Sequence, residues 1–386
     1  QQHKPETESK MSSAPQTDAD ATSIPHRSQS FPIEACCIGI MSGSSMDGID
    51  ASLVEVTLHS ATRASLKRVV SLQTEIPPRI RSTLERILFD RTPLCPLSAL
   101  SMLCQLNVEL GECFAEAAVA VARKAHVPLH LVDCIGSHGQ TVAHVGSANV
   151  ALERHTASSL QLGSASVIAQ RTGVRAVTDF RLADIAHGGV GAPLMPRVDQ
   201  MLFGHLPGEL ILQNIGGIGN ATLLSSTRPV LAFDTGPGNM IMDALIRRAT
   251  SGKRTYDEGG ALARQGELLD ELLVAALAHP FFSRPPPRAT GHEDFGLEFV
   301  QWFENLAPSQ SSLADRVRTA LELTARSITS AYQNHLLQPT HDVRAVVLSG
   351  GGAHNLFLCE RLRSLLDPIP VHTSSEYGVP LDDKEA

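Results

Sequence analysis

The sequence predicts an α/β protein made of two related domains, each opening with a strand, a glycine-rich turn and a returning strand. Residues 35–40 form an apolar run, followed by Met41-Ser42-Gly43-Ser44-Ser45-Met46-Asp47-Gly48 and a second strand-like run at 49–56. The same unit recurs where the apolar run 209–215 meets Gly216-Gly217-Ile218-Gly219-Asn220 and turns back at 221–224. Helical periodicities follow each unit, as a layered α/β chain requires. Two such hairpins set across a cleft can grip one phosphate chain between them.

Composition bounds the possibilities. With 386 residues, 42% of them hydrophobic, the chain can bury two cores. Its 32 basic and 40 acidic residues give a net charge of -8, which disfavours nucleic acid or an anionic membrane as a partner. No apolar run reaches membrane-spanning length. Residues 1–32 carry too few large apolar groups to offset ordering entropy and are expected to be a disordered tail. That stretch also lacks the basic and apolar regions of a signal peptide, so a cytoplasmic location is expected. The cysteines (Cys36, Cys37, Cys95, Cys104, Cys113, Cys134 and Cys359) form no CxxC pair and read as reduced, mostly buried thiols. The histidines show neither HExxH nor a Cys/His ligand spacing, which leaves no metal site to argue from them.

The elements follow in order. Leu103, Leu106, Leu110, Phe114, Ala117 and Val121 recur at three- and four-residue spacings, so 97–125 is read as an amphipathic helix limited by Pro128. A strand at 131–135 leads into Gly136-Ser137-His138-Gly139-Gln140-Thr141. Another, at 175–178, delivers Asp179-Phe180-Arg181 to a glycine-rich loop at 188–193. After the second hairpin, a strand at 230–233 ends in Asp234-Thr235-Gly236-Pro237-Gly238-Asn239, with a helix from about Met240. Long helical patterns occupy 262–278 and 313–337, joined across a stiff Pro285-Pro286-Pro287 connection. A last strand at 345–348 runs into Ser349-Gly350-Gly351-Gly352 and a helix from about Asn355. The expected domains are 33–195 and 196–386, two actin/hexokinase-like (ribonuclease H-like) units flanking an ATP cleft.

Each motif points to particular chemistry. Gly43 to Gly48 match the GxxxxG front of a P-loop, but Ile49 and Asp50 stand where lysine, a hydroxyl residue and a helix are required. The hairpin reading keeps the useful part: small residues let backbone N–H groups and hydroxyls approach phosphate oxygens. Gly216-Gly217 support the opposite hairpin in the same way, and opening onto a strand disfavours a dinucleotide fold. Gly350-Gly351-Gly352 can let a base or ribose lie against backbone. Asp234, at a strand end in a glycine-rich bend, can take a proton from a nucleophile or hold Mg²⁺ through water; its plainer role is local structure beside a helix cap. Asp179 with Arg181 is either a catalytic pair or a salt bridge beside a loop. His138 and Gln140 can hydrogen-bond sugar hydroxyls or merely occupy a turn. No GxSxG elbow or cysteine–histidine signature supports a hydrolase.

Taken together, these segments resemble the anhydro-N-acetylmuramic acid kinase family, in family order from about residue 36 to the end. The matching stretches are 39–50, 136–141, 179–181 with 188–194, 214–217, 233–239, 350–355 and Lys384-Glu385-Ala386. The resemblance implies a kinase using ATP and Mg²⁺ that opens the 1,6-anhydro ring by adding water at C1 while O6 takes the γ-phosphate. It places Gly43, Ser44, Ser45, Met46, Asp47, Gly48, Ile49 and Asp50 at the ATP phosphates. Asp234 would be the general base, and Glu385 would assist it or help hold the metal. His138, Gln140 and Asp179 would lie near the sugar, with Arg181 beside them, and a homodimer is implied. Ser44 stands for the family's usual Thr, and His292 for its usual Arg. The family continues beyond Ala386 into a helix, so the second domain is expected without that last element. Two alternatives stand beside this reading: a levoglucosan-type anhydrosugar kinase on the same fold, and a non-catalytic nucleotide- or sugar-binding pseudokinase.

Overall fold

A computed structural model describes residues 30–43, 46, 48–88, 95–145, 157–337 and 342–381. The expected tail lies almost wholly outside the described residues. From Pro32 onward the chain is one unit built around two sheets.

The first sheet starts with an antiparallel meander of β1 (Ile33–Ser42), β2 (Ile49–Ser60) and β3 (Arg63–Thr74). Ile38 and Ile40 alternate with less buried neighbours, and Ile49, Ala51 and Leu53 are buried on one face of β2. The period of two turns one face onto a helix layer. After α1 (Pro78–Leu88), that layer is chiefly α2 (Pro96–Lys124), with Pro96 in its first turn and the expected stripe of Leu106, Leu110, Phe114, Ala117 and Val121 buried. Each of the larger buried side chains contributes about 1.5–3 kcal/mol.

One strand assignment needs correction. The chain makes a short 3-10 turn at Leu129–Leu131, and β4 (Cys134–Val145) then runs straight through His138 and Gln140. Pairing explains the difference. β1 aligns parallel on one side of β4, while β5 (Ser158–Leu162) folds back antiparallel along its later half. Gly139 fits this run at φ +77°, where a Cβ would lie 2.7 Å from the Leu162 carbonyl. After α3 (Ala165–Thr172), β6 (Ala176–Val177) pairs parallel with the start of β4. Then α4 (Phe180–Ala186) and α5 (Met195–Phe203) lead to the second sheet.

There, β7 (Glu209–Ile215), β8 (Ile218–Leu224) and β9 (Leu231–Pro237) repeat the antiparallel meander. β9 extends past the expected end at 233 and includes Asp234. α6 (Met240–Ala249) starts where expected. The long helix expected at 262–278 does not form; a 3-10 turn at Ala263–Gln265 is followed by α7 (Asp270–Leu277). The break has a tertiary cause. At Gly266 a Cβ would lie 2.2 Å from the Ala314 carbonyl, while Asp315 and Thr319 accept the Glu267 and Leu269 N–H groups. Next come α8 (His292–Phe295), α9 (Leu297–Leu306) and α10 (Leu313–His335), the last opened by a Ser312/Asp315 capping box. β10 (Val343–Ser349), α11 (Leu356–Leu366) and β11 (Val371–Thr373) complete the sheet.

The two sheets have one plan. β9-β8-β7-β10-β11 matches β3-β2-β1-β4-β6, with the second strand antiparallel and parallel pairing through the next three. This is the ribonuclease H-like order; β5 is an added hairpin strand. Leu210, Leu212, Leu224, Ala345 and Val347 on one face of the second sheet join a cluster with Ala64 of β3 and Leu202 and Phe203 of α5. That face is therefore turned toward the first half. The cysteines are less buried than expected: all seven are free, but only Cys113 and Cys359 are fully buried. Cys95 precedes α2 and Cys104 lies on its exposed side. No helix among the described residues is long and apolar enough to cross a membrane.

Candidate active site

The first glycine turn hangs between β1 and β2. Met46 N–H donates to the Gly43 carbonyl (3.1 Å), and the Met46 side chain, at φ +53°, is 3% exposed in the core beneath. Ile49 is likewise buried in that core. These two residues therefore shape the turn from below. Asp50 is exposed and accepts from Gln73 Nε2 (3.0 Å). Ser44, Ser45 and Asp47 lie outside the described residues, as does Glu385. Gln140 is wholly buried. Its Oε1 accepts from Ser42 Oγ (2.6 Å), and its Nε2 donates to the Gly43 carbonyl (3.3 Å). The structure thus places Gln140 behind the turn, as its support.

In the second half, the glycine segments expected at ATP come together. Gly216 and Gly217 accept backbone bonds from Asn239 and Gly238, both at 2.8 Å, which stitches the turn to the start of α6. Gly350 adopts φ +80°, and a Cβ there would lie 2.5 Å from Asn214 Oδ1. At Gly352 it would lie 2.2 Å from Ile215 Cγ2. Only glycine permits so close an approach of the Gly350–Gly352 backbone to β7. The three segments meet at the carboxyl ends of the parallel strands β7 and β10, where open α/β sheets bind ligands.

Asp234 belongs to a polar row. Ser349, Asn214, Asn220 and Asp234 stand opposite one another across β10, β7, β8 and β9. They share parity with Leu210 and Leu212, so the row lies on the face turned toward the first half. The segment after the three prolines lies along β9: Asp234 N–H donates to the Arg288 carbonyl (3.1 Å), and Arg288 Nε donates to the Asp234 carbonyl (2.9 Å). Thr290 N–H donates to Asp234 Oδ2 (2.9 Å). Burial pushes the Asp234 carboxyl up to about 6, with Glu293 adding to the shift and Arg288 and the Thr290 bond opposing it. Arg288 and Thr290 were not singled out in the sequence; their only signal was the stretch following the proline run.

His138 and Asp179 share a pocket of about 550 Å³ with Asn107, Ser137, Gln161 and Thr178. The imidazole is fixed by two bonds: Nδ1 lies 3.0 Å from the Gly139 carbonyl, and Arg181 Nε donates to Nε2 (3.0 Å). Burial and the Arg181 charge hold His138 below its ordinary range and hence neutral, with Nδ1–H toward Gly139. Arg181 also donates to the Gly191 carbonyl (2.7 Å), tying the pocket to the glycine loop. Asp179 is exposed, at φ +62° before α4. Asp234 does not line this pocket.

Two like ribonuclease H-type sheets, with glycine turns at the carboxyl ends of parallel strands, define an ATPase of the actin/hexokinase class. A family model described as anhydro-N-acetylmuramic acid kinase matches residues 35–386. The chain belongs to that family. It is 40% identical to the anhydro-N-acetylmuramic acid kinase of Caldanaerobacter subterraneus subsp. tengcongensis, over 92% of this chain and 88% of that one. The protein of that name from Trichormus variabilis is 39% identical over 94% and 91% of the two chains. Among solved structures, a ROK family glucokinase from Streptomyces griseus in complex with glucose and AMPPNP aligns at a TM-score of 0.32 and 11% identity, covering 87% of this chain and 93% of that one. That likeness is low; the fold rests on the strand order within each sheet.

Proposed function

We propose that this protein is an ATP-dependent kinase that opens 1,6-anhydro-N-acetylmuramic acid with water and phosphorylates O6, giving N-acetylmuramate 6-phosphate. Membership of the family, over nearly the whole of the chain, is the observation that carries this reading. The convergence of Gly216, Gly217 and Gly350–Gly352 supports a nucleotide site in the second half. The Ser42–Gln140 support beneath Gly43 favours a phosphate turn in the first. The His138–Asp179 pocket has room for a monosaccharide.

In this reading Asp234 is the general base. A carboxylate raised to about 6 is still ionised at neutral pH, yet basic enough to take a proton from water. Water adds at C1, its proton passes to the carboxylate, the C1–O6 bond breaks, and O6 takes the γ-phosphoryl group as ADP leaves. A second reading makes Asp179 the base, favoured by its position in the His138 pocket. Asp234→Asn and Asp179→Asn, compared for turnover at saturating sugar, separate the two.

No group of three His, Cys, Asp or Glu side chains that could hold a metal occurs among the described residues. Mg²⁺ is commonly held by phosphate oxygens and water with one or two carboxylates. Asp234 and Glu385 are the carboxylates assigned to it, and the chemistry it would supply is neutralisation of the β- and γ-phosphate charge. A homodimer is part of the proposal, supported by exposed Val274, Leu297 and Trp302 on α7 and α9. ADP release with 1,6-anhydro-N-acetylmuramic acid, run beside levoglucosan, tests the function. Turnover of levoglucosan alone would move the substrate.

A further inference from the structure

Cys37 and Cys134 stand directly opposite each other where β1 pairs with β4. Their sulfurs are 3.4 Å apart, both residues are half-buried, and both thiols are free. Adjacent strands lie about 4.8 Å apart, inside the roughly 4.4–6.8 Å Cα separation that a disulfide spans. A small side-chain rotation is enough to bring the sulfurs to bonding distance.

We propose that Cys37 and Cys134 are a reversible redox pair that closes to a disulfide when the protein meets a peroxide. The step balances. One thiolate attacks a peroxide oxygen and the O–O bond breaks; hydroxide leaves and is protonated to water, and the attacking sulfur becomes a sulfenic acid. The second sulfur then attacks it, the S–S bond forms, the S–O bond breaks, and a second water carries off the remaining hydroxyl and proton. Two electrons pass from the sulfurs to the peroxide.

Geometry selects the pair. Cys36 projects from the opposite face of β1, because successive side chains alternate, and its N–H is held by Asp133 Oδ2 (2.8 Å). Burial and the neighbouring Cys134 push the Cys37 thiol up to about 12, so attack by Cys37 is faster in alkali. The same pairing continues to Ile40 opposite Ser137 and, after a slip, Ser42 opposite Gln140. The disulfide therefore staples the two strands that carry the phosphate turn and the His138 pocket.

The test is a peptide map of the full chain after hydrogen peroxide treatment, alkylation and non-reducing digestion. The expected result is a Cys37 peptide linked to a Cys134 peptide, with two fewer titratable thiols and full reversal by dithiothreitol. Cys36→Ser should keep the link, which also resolves the adjacent cysteines, and Cys134→Ser should abolish it. Absence of the link in folded protein, a link through Cys36, or sulfinic acid at either position in its place would overturn the proposal. The wild-type map decides alone if Cys134→Ser fails to fold.

Discussion

Ser42 donates a 2.6 Å hydrogen bond to Oε1 of Gln140, joining the end of β1 to the middle of the parallel strand β4, 98 residues apart in sequence. The same amide holds the Gly43 carbonyl from behind. The first glycine turn is thus fixed by a buried side chain that ATP need not touch.

Gln140→Ala should therefore cost about 1–3 kcal/mol of stability, because the Ser42 hydroxyl and Gly43 carbonyl lose a buried partner. The KM for ATP should rise several-fold while the sugar KM changes less. Urea unfolding and steady-state kinetics check both parts. A variant altered only in sugar KM would place Gln140 at the sugar after all.

Asp234 gives a pH signature. Its folded value is raised from 3.8 to about 6, so between those values the folded state holds a proton that the unfolded state has lost. Stability contributed by this group is present below the lower value and is lost as pH rises through about 6, about 3 kcal/mol in all. Asp234→Asn should flatten that part of the stability profile. It should also lower kcat by about 10²–10⁴ if Asp234 is the base. Thermal unfolding across pH 4–7, read beside ADP release, tests the two effects separately.

His138 should behave in the opposite sense. Its folded value lies below 6.5, so its contribution is present above that pH and is lost as pH falls through the lowered value. Arg181→Ala removes the neighbouring charge and should move the His138 titration upward, toward but not beyond its ordinary range. Proton NMR of the imidazole ring follows this directly. An unmoved titration would mean that burial alone sets it.

The helix layer behind the nucleotide loop offers a stability test. Glu322 of α10 is fully buried, bonded to Arg326 Nε (2.9 Å) and Arg361 Nε (2.9 Å). Burial alone would raise its carboxyl; together the Arg361 and Arg326 bonds reverse this and hold it low. Glu322→Ala removes the carboxylate shared by two partly exposed guanidinium groups and should cost about 1.5–3 kcal/mol. A loss under about 1 kcal/mol in denaturant unfolding would show that water replaces the carboxylate freely.

Local chemistry was legible in the sequence. The stripe from Leu103 to Val121 marked α2 within a residue at each end, and 209–215 was β7 without adjustment. The recurrence of strand, glycine turn and strand gave the paired-sheet plan. What escaped was set by distant partners. Gly266 ends a helical pattern because α10 crosses it, and His138 and Gln140 lie within a strand because β1 and β5 flank them. Arg288 and Thr290 gain meaning only by lying along Asp234. A linear pattern carries no signal for such contacts.

The most direct test of the central claim is the reaction itself, run with Mg-ATP and 1,6-anhydro-N-acetylmuramic acid in ¹⁸O-water. The account predicts sugar-dependent ADP release, a single 6-phosphate product by ³¹P NMR, and one ¹⁸O at C1. Phosphorylation without ¹⁸O incorporation, or no sugar-dependent ADP from folded protein that still binds ATP, would contradict it.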